Sequence, residues 1–214
     1  MKNYISQIDK KRFAIMVIGN LLIGIGVSIF KISGMGTDPC SSMVMSLAEK
    51  YNIPFATFLI FVNAILFIIE FFLGRHFIGA GTFVNAVLLG YIITFFHDTW
   101  LRIFGAPGLF WQRIIIMLIG VIVCSLGVSL YQSSDMGVAP YDSLSLIMKE
   151  RISKISYFWH RIFTDAIAVV IGIAAGGLAG GLIGLGTLVS VFGIGPIIHF
   201  FNMNVTEKLL KKNK

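Results

Sequence analysis

Two polar side chains stand near the middle of apolar stretches that are long enough to cross a lipid bilayer. Asn63 lies in one such stretch and Asp165 lies in another. An ionisable group at that depth is costly unless it is paired or faces a cavity. Arg161 precedes Asp165 by four residues, so both side chains lie on one face of a helix. This pattern predicts a proton or cation site at Asp165 with Arg161 as its counter-charge, although a static ion pair that locks helix packing also fits it.

A second set of polar residues belongs to a stretch that occurs twice. Residues 26–42 read GVSIFKISGMGTDPCSS, and residues 127–143 read GVSLYQSSDMGVAPYDS, 101 positions later. In each copy a proline, Pro39 or Pro140, can take the first position of a short helix, where its missing N–H is not needed. The free N–H groups at such a helix start can bind an anionic or polar ligand. The polar side chains beside the two prolines are therefore candidates for substrate binding: Asp38, Ser41, Asp142 and Ser143.

The repeat continues into the apolar stretches that follow. FVNAI at 61–65 matches FTDAI at 163–167, and GTFVNAVLLGYIITFF at 81–96 matches GTLVSVFGIGPIIHFF at 186–201. Asn63 thereby pairs with Asp165, and Asn85 pairs with Ser190. Such side chains either line a cavity or hydrogen-bond between helices. We add these four residues to the candidate substrate-binding set.

The composition indicates that these residues belong to a membrane protein. Of the 214 residues, 57% are hydrophobic and 13% are charged, whereas a soluble domain has about twice that charged fraction. A helix needs about 20 apolar residues to cross the hydrocarbon layer. Six stretches meet this length, so the predicted fold is all-α with six transmembrane helices. They lie at about 13–32, 54–74, 77–97, 112–132, 156–176 and 181–202.

The duplication predicts two halves, residues 1–105 and 106–214, with three spans and one short helix each. Because three spans carry the chain across the membrane, the second half begins on the opposite side, and the halves form an inverted repeat. The short helices are expected at about 38–50 and 139–151. A helix of about 13 residues rises only ~20 Å, so each either re-enters the membrane or lies at its interface. The sequence leaves both placements open.

The basic residues predict the orientation in the membrane. With a cytoplasmic N-terminus, the inner side holds all of the 17 Lys and Arg residues except Lys31, Lys50, Arg102 and Arg113. Such an excess is typical of the cytoplasmic side, so both termini are predicted to be cytoplasmic. We attribute the net charge of +7 to these flanking residues and not to a nucleic-acid surface. Glu70, five residues before Arg75, is expected to reach the membrane surface as a charged end group.

Three segments carry a resemblance to a known family: GMGTDP at 34–39, MGVAPYD at 136–142 and FTDA at 163–166. With these motifs the chain resembles the YczE/YyaS/YitT group of bacterial membrane proteins, from residue 12 to about residue 202. The resemblance implies a polytopic protein of the bacterial inner membrane, of a kind often assumed to be a transporter. It supplies no catalytic residues.

We interpret the whole pattern as a small secondary transporter of a polar solute, with proton coupling through Asp165 and Arg161. Asp142 argues against a purely anionic solute. A passive channel is one alternative, because paired short helices headed by proline also occur beside pores. A membrane partner that regulates a neighbouring complex is the other alternative.

Other classes of function lack a supporting pattern. No nucleophile–base set or metal-ligand spacing occurs in the sequence, and Cys40 and Cys124 form no redox motif. The sequence therefore predicts no enzyme activity, no cofactor and no metal site. The expected partners are the lipid bilayer and the solute, without nucleic acid, and a chain of this length is compatible with a homodimer.

Overall fold

The computed structural model describes residues 10–211, and these residues form nine α-helices and no strand. The helices are α1 (Lys10–Ile32), α2 (Pro39–Tyr51), α3 (Phe55–Leu73), α4 (Ala80–Phe104), α5 (Phe110–Ser133), α6 (Pro140–Arg151), α7 (Tyr157–Ala174), α8 (Leu185–Phe201) and α9 (Glu207–Lys211). A 3-10 turn at Arg75–Phe77 precedes α4, and a π-helical turn at Asn202–Thr206 joins α8 to α9. Both chain ends, with Lys2, Lys212 and Lys214 of the basic pattern, lie outside the described residues.

Six helical segments among the described residues are long and apolar enough to cross a membrane. They are α1, α3, α4, α5, α7 and the segment Leu185–Leu210, which continues α8 through the π-helical turn. The all-α fold with six membrane-crossing helices is therefore confirmed. Two of the six spans have bounds that differ from the expected ones. The third span is 80–104 instead of 77–97, because residues 75–77 form a separate turn. The sixth begins at Leu185 instead of 181, because Gly181 has a left-handed backbone (φ 68°) that a helix does not accommodate.

The helices α1 and α5 pack against each other along most of their length. A Cβ atom on Gly19 would lie 2.6 Å from the backbone nitrogen of Tyr131, and one on Gly120 would lie 2.7 Å from that of Phe30. Glycine at these positions lets the two backbones approach closely. The start of α1 thus meets the end of α5, so the two helices run antiparallel. Gly19 and Gly120 are also repeat mates, 101 positions apart.

The loops before the two short helices are fixed by matching hydrogen bonds between the halves. The Gly186 N–H donates to the Met35 carbonyl at 2.8 Å, and the Gly81 N–H donates to the Met136 carbonyl at 2.7 Å. Met35 and Met136 are repeat mates, as are Gly81 and Gly186. Each half therefore supplies the loop in one contact and the helix start in the other.

The short helices α2 and α6 are enclosed by the helical bundle. In α2 every residue from Ser41 to Ser46 is buried, which requires neighbours on all sides of the helix. The packing is reciprocal, because α2 lies against α7 of the second half and α6 lies against α3 of the first half. Each short helix is consequently held by a spanning helix from the other half.

Candidate functional site

The starts of α2 and α6 meet at a cavity of about 70 Å³. A water molecule needs about 10–15 Å³ of such space, so the cavity has room for several waters or for a small ligand. Fourteen of its sixteen lining residues form seven repeat pairs. The pairs are Ile23 with Cys124, Val27 with Val128, Asp38 with Ala139, Cys40 with Tyr141, Ser41 with Asp142, Leu59 with Arg161, and Leu89 with Ile194.

The cavity brings together six of the nine residues that the sequence selected as site candidates. These six are Asp38, Ser41, Asn63, Asn85, Asp142 and Arg161. Ser143, Asp165 and Ser190 are not among the lining residues. Asp165 nevertheless contacts two residues that are, as described next.

A buried ionic cluster forms one side of the cavity. The Arg161 guanidinium lies between two carboxylates, with Nη1 on Asp142 Oδ1 and Nε at 3.3 Å from Asp165 Oδ2. Asp142 is 8% exposed and Asp165 is 3% exposed, so this is a largely desolvated triad. The pairing of Arg161 with Asp165 agrees with their spacing of four residues along α7. The sequence did not indicate that Asp142, from α6, shares the same guanidinium.

Two tyrosines complete the cluster, and the sequence analysis did not identify either of them. The Tyr131 hydroxyl donates to Asp142 Oδ2 at 2.7 Å and accepts from the Ala139 N–H at 2.8 Å. The Tyr141 hydroxyl donates to Asp165 Oδ1 at 2.7 Å. All four carboxylate oxygens of the triad therefore have a partner. The repeat could have indicated these tyrosines. The first half has Phe30 and Cys40 at the matching positions, so the two phenol hydroxyls are present in the second half and not at their mates.

Asp38 caps the other short helix and is less well satisfied. It is the N-cap of α2, and its Oδ1 accepts from the Ser41 N–H at 3.0 Å. The Oδ2 atom is buried without a hydrogen-bond partner. Burial raises the pKa of this carboxyl above its ordinary value, and the hydrogen bonds from Ser41 oppose that shift only in part. Asp38 therefore has one carboxyl oxygen, Oδ2, that is available to accept a hydrogen bond from a ligand in the cavity.

Of the remaining candidates, the two asparagines hydrogen-bond to neighbouring helices and the two serines hydrogen-bond within their own helices. Asn85 donates to Asn20 Oδ1 at 2.8 Å, and Asn63 donates to the Ala86 carbonyl at 3.2 Å. Both amides still line the cavity. The Ser143 hydroxyl donates to the Pro140 carbonyl at 2.9 Å, and the Ser190 hydroxyl donates to the Thr187 carbonyl at 2.8 Å. These two serines are not among the lining residues of the cavity, and their hydroxyls bond to their own helices.

Glu70 is enclosed by the protein, whereas the sequence predicted that it reaches the membrane surface. Its side chain is 0% exposed, and neither carboxylate oxygen has a hydrogen-bond partner. The prediction that it extends to the membrane surface is wrong, because α6 covers this face of α3. One turn further along α3, a Cβ atom on Gly74 would lie 2.6 Å from the side chain of Ile147 in α6.

A metal centre is not formed by the residues that the structure describes. Within 10–211 no group of three or more His, Cys, Asp or Glu side chains is arranged to hold an ion. Cys40 and Cys124 are both free thiols that line the cavity. The chemistry available at the site is therefore that of carboxylates, one guanidinium, phenol and serine hydroxyls, amides and two thiols.

Six membrane-crossing helices around a small cavity, lined by apolar side chains and a few polar and charged ones, define a polytopic integral membrane protein. Residues 10–203 match a family of unknown function, DUF6198, and the chain belongs to that family. This finding agrees with the resemblance to the YczE/YyaS group that the repeated motifs indicated.

Three relatives are similar over most of their length. The uncharacterized protein YyaS of Bacillus subtilis (strain 168) is 28% identical over 204 residues, which cover 92% of this chain and 95% of YyaS. The uncharacterized membrane protein YczE of the same organism is 27% identical, covering 88% of this chain and 84% of YczE. An uncharacterized protein of Haemophilus influenzae is 25% identical, covering 93% of this chain and 86% of that protein. No solved structure matches the chain.

Proposed function

We propose that this protein is a small secondary transporter of a polar solute in the bacterial inner membrane. The observation that carries the proposal is the make-up of the cavity, since seven pairs of repeat mates supply fourteen of its sixteen lining residues. In transporters built from inverted repeats, the substrate site lies where the two repeats meet. A binding site made of mated residues is what such an architecture requires.

Alternating access would come from rocking of the two halves about the cavity, with the halves related as an inverted repeat. The antiparallel packing of α1 with α5 supports this relation, because these helices are repeat mates. The reciprocal contacts of α2 with α7 and of α6 with α3 support it as well. In this proposal α2 and α6 are re-entrant helices whose N-terminal ends face the solute, and both chain termini are cytoplasmic.

The proposed solute is polar and not purely anionic. Asp38 offers a carboxylate oxygen without a partner, and Asn63 and Asn85 offer amide groups. Asp142 and Asp165 share the single charge of Arg161, so the described side chains at the site carry more acidic than basic groups. Amines and zwitterions, which bring a positive group, match this balance better than phosphates or sulfates do.

Proton coupling would act through the triad. Protonation of Asp165 would remove one of the two counter-charges of Arg161 and weaken its contact at 3.3 Å. The guanidinium would then be held by Asp142 alone. The neutral acid would also accept more weakly from the Tyr141 hydroxyl, so one of the hydrogen bonds that tie α7 to α6 would be weakened. Movement of α7 relative to α6 is the conformational change that this proposal requires.

The test begins with the purified protein and no assumption about the solute. Thermal-shift measurements against amino acids, polyamines, sugars and alkali-metal salts identify compounds that stabilise it. Uptake of each stabilising compound is then followed in proteoliposomes with and without an imposed pH gradient. We expect saturable uptake that depends on the gradient.

Asp165→Asn and Asp135→Asn are the matched pair of variants for that assay. Asp135 is exposed and has a left-handed backbone (φ 58°), which asparagine also tolerates, so its variant serves as the control. We expect coupled uptake to be lost in the first variant and kept in the second. Uptake that does not saturate and ignores the gradient would favour a passive channel. Absence of uptake for every stabilising compound would favour a regulatory membrane partner.

A further inference from the structure

Glu70 is a buried acid that the ionic triad does not use. It lies in the last turn of α3, is 0% exposed, and leaves both carboxyl oxygens without a hydrogen-bond partner. A carboxylate that is desolvated in this way, with no counter-charge, is strongly disfavoured relative to the neutral acid. The enclosure of Glu70 without a partner therefore favours the neutral acid over the carboxylate in this conformation.

The groups of α6 that face Glu70 supply no positive charge to stabilise a carboxylate. Ser143 of α6 is the polar side chain beside the carboxyl, and its hydroxyl hydrogen is already donated to the Pro140 carbonyl at 2.9 Å. This hydrogen is therefore not given to Glu70, and both of its carboxyl oxygens lack a hydrogen-bond partner. The charged group that acts on Glu70 from α6 is Asp142, which is also an acid and further disfavours a second negative charge.

The basic and titratable groups near this end of α3 are engaged elsewhere. Arg75 lies over the Phe71 ring, 5.1 Å from its centroid, and His76 contacts Glu150 of α6 at 2.9 Å. The helix α4 also packs against α3, but its titratable side chains begin at Tyr91. That part of α4 meets the other end of α3, where Gly90 approaches Ala56.

We propose that Glu70 is a proton-binding site, which holds a proton while α3 and α6 are in contact and releases it to water when they separate. The step involves only dissociation of the O–H bond of the acid, and the proton passes to a water molecule. The further statement that this proton is a second coupling ion, needed together with the one at Asp165, rests on the proposed transport function.

The position of Glu70 ties its protonation to helix movement. Its repeat mate is Gly172 in α7, where a Cβ atom would lie 3.3 Å from the Cα of Met43 in α2. In both halves this position is therefore where a spanning helix touches the short helix of the other half. At this position α3 has the acid Glu70 and α7 has Gly172, so separation of α3 from α6 exposes a proton donor that the matching contact of α7 with α2 does not have.

Infrared spectroscopy on the wild-type protein tests the protonation without any variant. The chain contains four glutamates, and Glu49, Glu150 and Glu207 are exposed to solvent whereas Glu70 is enclosed. Labelling glutamate with carbon-13 at its carboxyl group shifts the glutamate bands and leaves aspartate bands unchanged. We expect one isotope-shifted band of a protonated carboxylic acid at neutral pH, and its absence would overturn the proposal.

Two variants then assign the band and separate protonation from coupling. Glu70→Gln should remove the band, and Glu150→Gln, which changes an exposed acid of α6, should keep it. In proteoliposomes Glu70→Gln should still bind and exchange any solute that the wild type transports, but without response to a pH gradient. An unchanged gradient response in that variant would overturn the coupling role of Glu70 while leaving its protonation to the infrared result. Lack of transport by the wild type would contradict the proposed function and not the proton site.

Discussion

The two halves of the chain begin their short helices with matching backbones and with different side chains. The first half has Asp38 as the cap of α2, with one carboxyl oxygen unpartnered. The second half has Ala139 at that position, and its carboxylate is Asp142, three residues later and bonded on both oxygens. Duplication has thus kept the framework and redistributed the charges.

The framework itself is nearly symmetric. Gly19 and Gly120 make equivalent backbone approaches, and the Met35–Gly186 and Met136–Gly81 hydrogen bonds differ by only 0.1 Å, at 2.8 and 2.7 Å. The difference between framework and site has a testable consequence. Substitutions at framework mates should have equal effects, and substitutions at site mates should have unequal ones.

The largest inequality is expected between Arg161 and its mate Leu59. Arg161→Met leaves Asp142 and Asp165 buried without a counter-charge, which should lower the free energy of unfolding by about 3–5 kcal/mol. Leu59→Met conserves volume at the mated position and should cost less than about 1.5 kcal/mol. Equilibrium unfolding of both variants in detergent measures the contrast. Similar losses for the two would mean that the triad is not what stabilises this region.

The next effect tests the symmetric framework. Gly19→Ala and Gly120→Ala should each destabilise the protein by about 1–3 kcal/mol, because the added methyl group would meet backbone atoms of the facing helix. We expect the two losses to agree within measurement error. Gly193→Ala is the control, since its Cβ would lie 3.9 Å from the nearest side chain. Thermal unfolding checks all three, and a large difference between the first two would break the symmetry argument.

A third prediction concerns a hydroxyl that exists in one half only. Tyr131→Phe gives the second half the residue type that Phe30 has in the first. The change removes a hydrogen bond to Asp142 and leaves the Ala139 N–H without its acceptor. We expect a loss of about 1–3 kcal/mol in the free energy of unfolding. Tyr91→Phe, at an exposed tyrosine, should be neutral in the same measurement.

Much of this arrangement could be predicted from the sequence because it depends on periodicity. Apolar length predicts the six spans, and the two prolines predict the starts of α2 and α6 within one residue. The spacing of Arg161 and Asp165 predicts their contact, since residues four apart share a helical face.

The rest depends on contacts between distant segments, which no local pattern encodes. Asp142 reaches Arg161 from another helix, and α6 covers Glu70, so a residue expected at a surface is enclosed. Ser143 and Ser190 looked equivalent to the cavity residues by type, yet their hydroxyls bond to their own helices. A comparison of the two repeat copies predicts some of these contacts. Tyr131 has a hydroxyl that its mate Phe30 lacks, and such a difference indicates a contact that is specific to one half.

The smallest change in stability should accompany the most informative change in function. Asp38→Asn keeps a side-chain oxygen that can accept from the Ser41 N–H, and asparagine caps helices as well as aspartate does, so the unfolding free energy should change by only a few tenths of a kcal/mol. Asp38→Ala loses the cap and should cost about 1 kcal/mol.

If the unpartnered oxygen of Asp38 binds the solute, both variants should weaken binding at least about tenfold, the ratio that about 1.4 kcal/mol produces. Titration of the stabilising compound against the two variants separates the roles of this residue. If Asp38 has only a structural role, the affinity for the compound should fall only where stability falls. Asp38→Asn should then bind as the wild type does, and Asp38→Ala should bind more weakly. If Asp38 binds the solute, both variants should bind it equally weakly, although only Asp38→Ala is less stable. That outcome would identify the unpartnered Oδ2 of Asp38 as the first half's contribution to a binding site whose other charged groups lie in the second half.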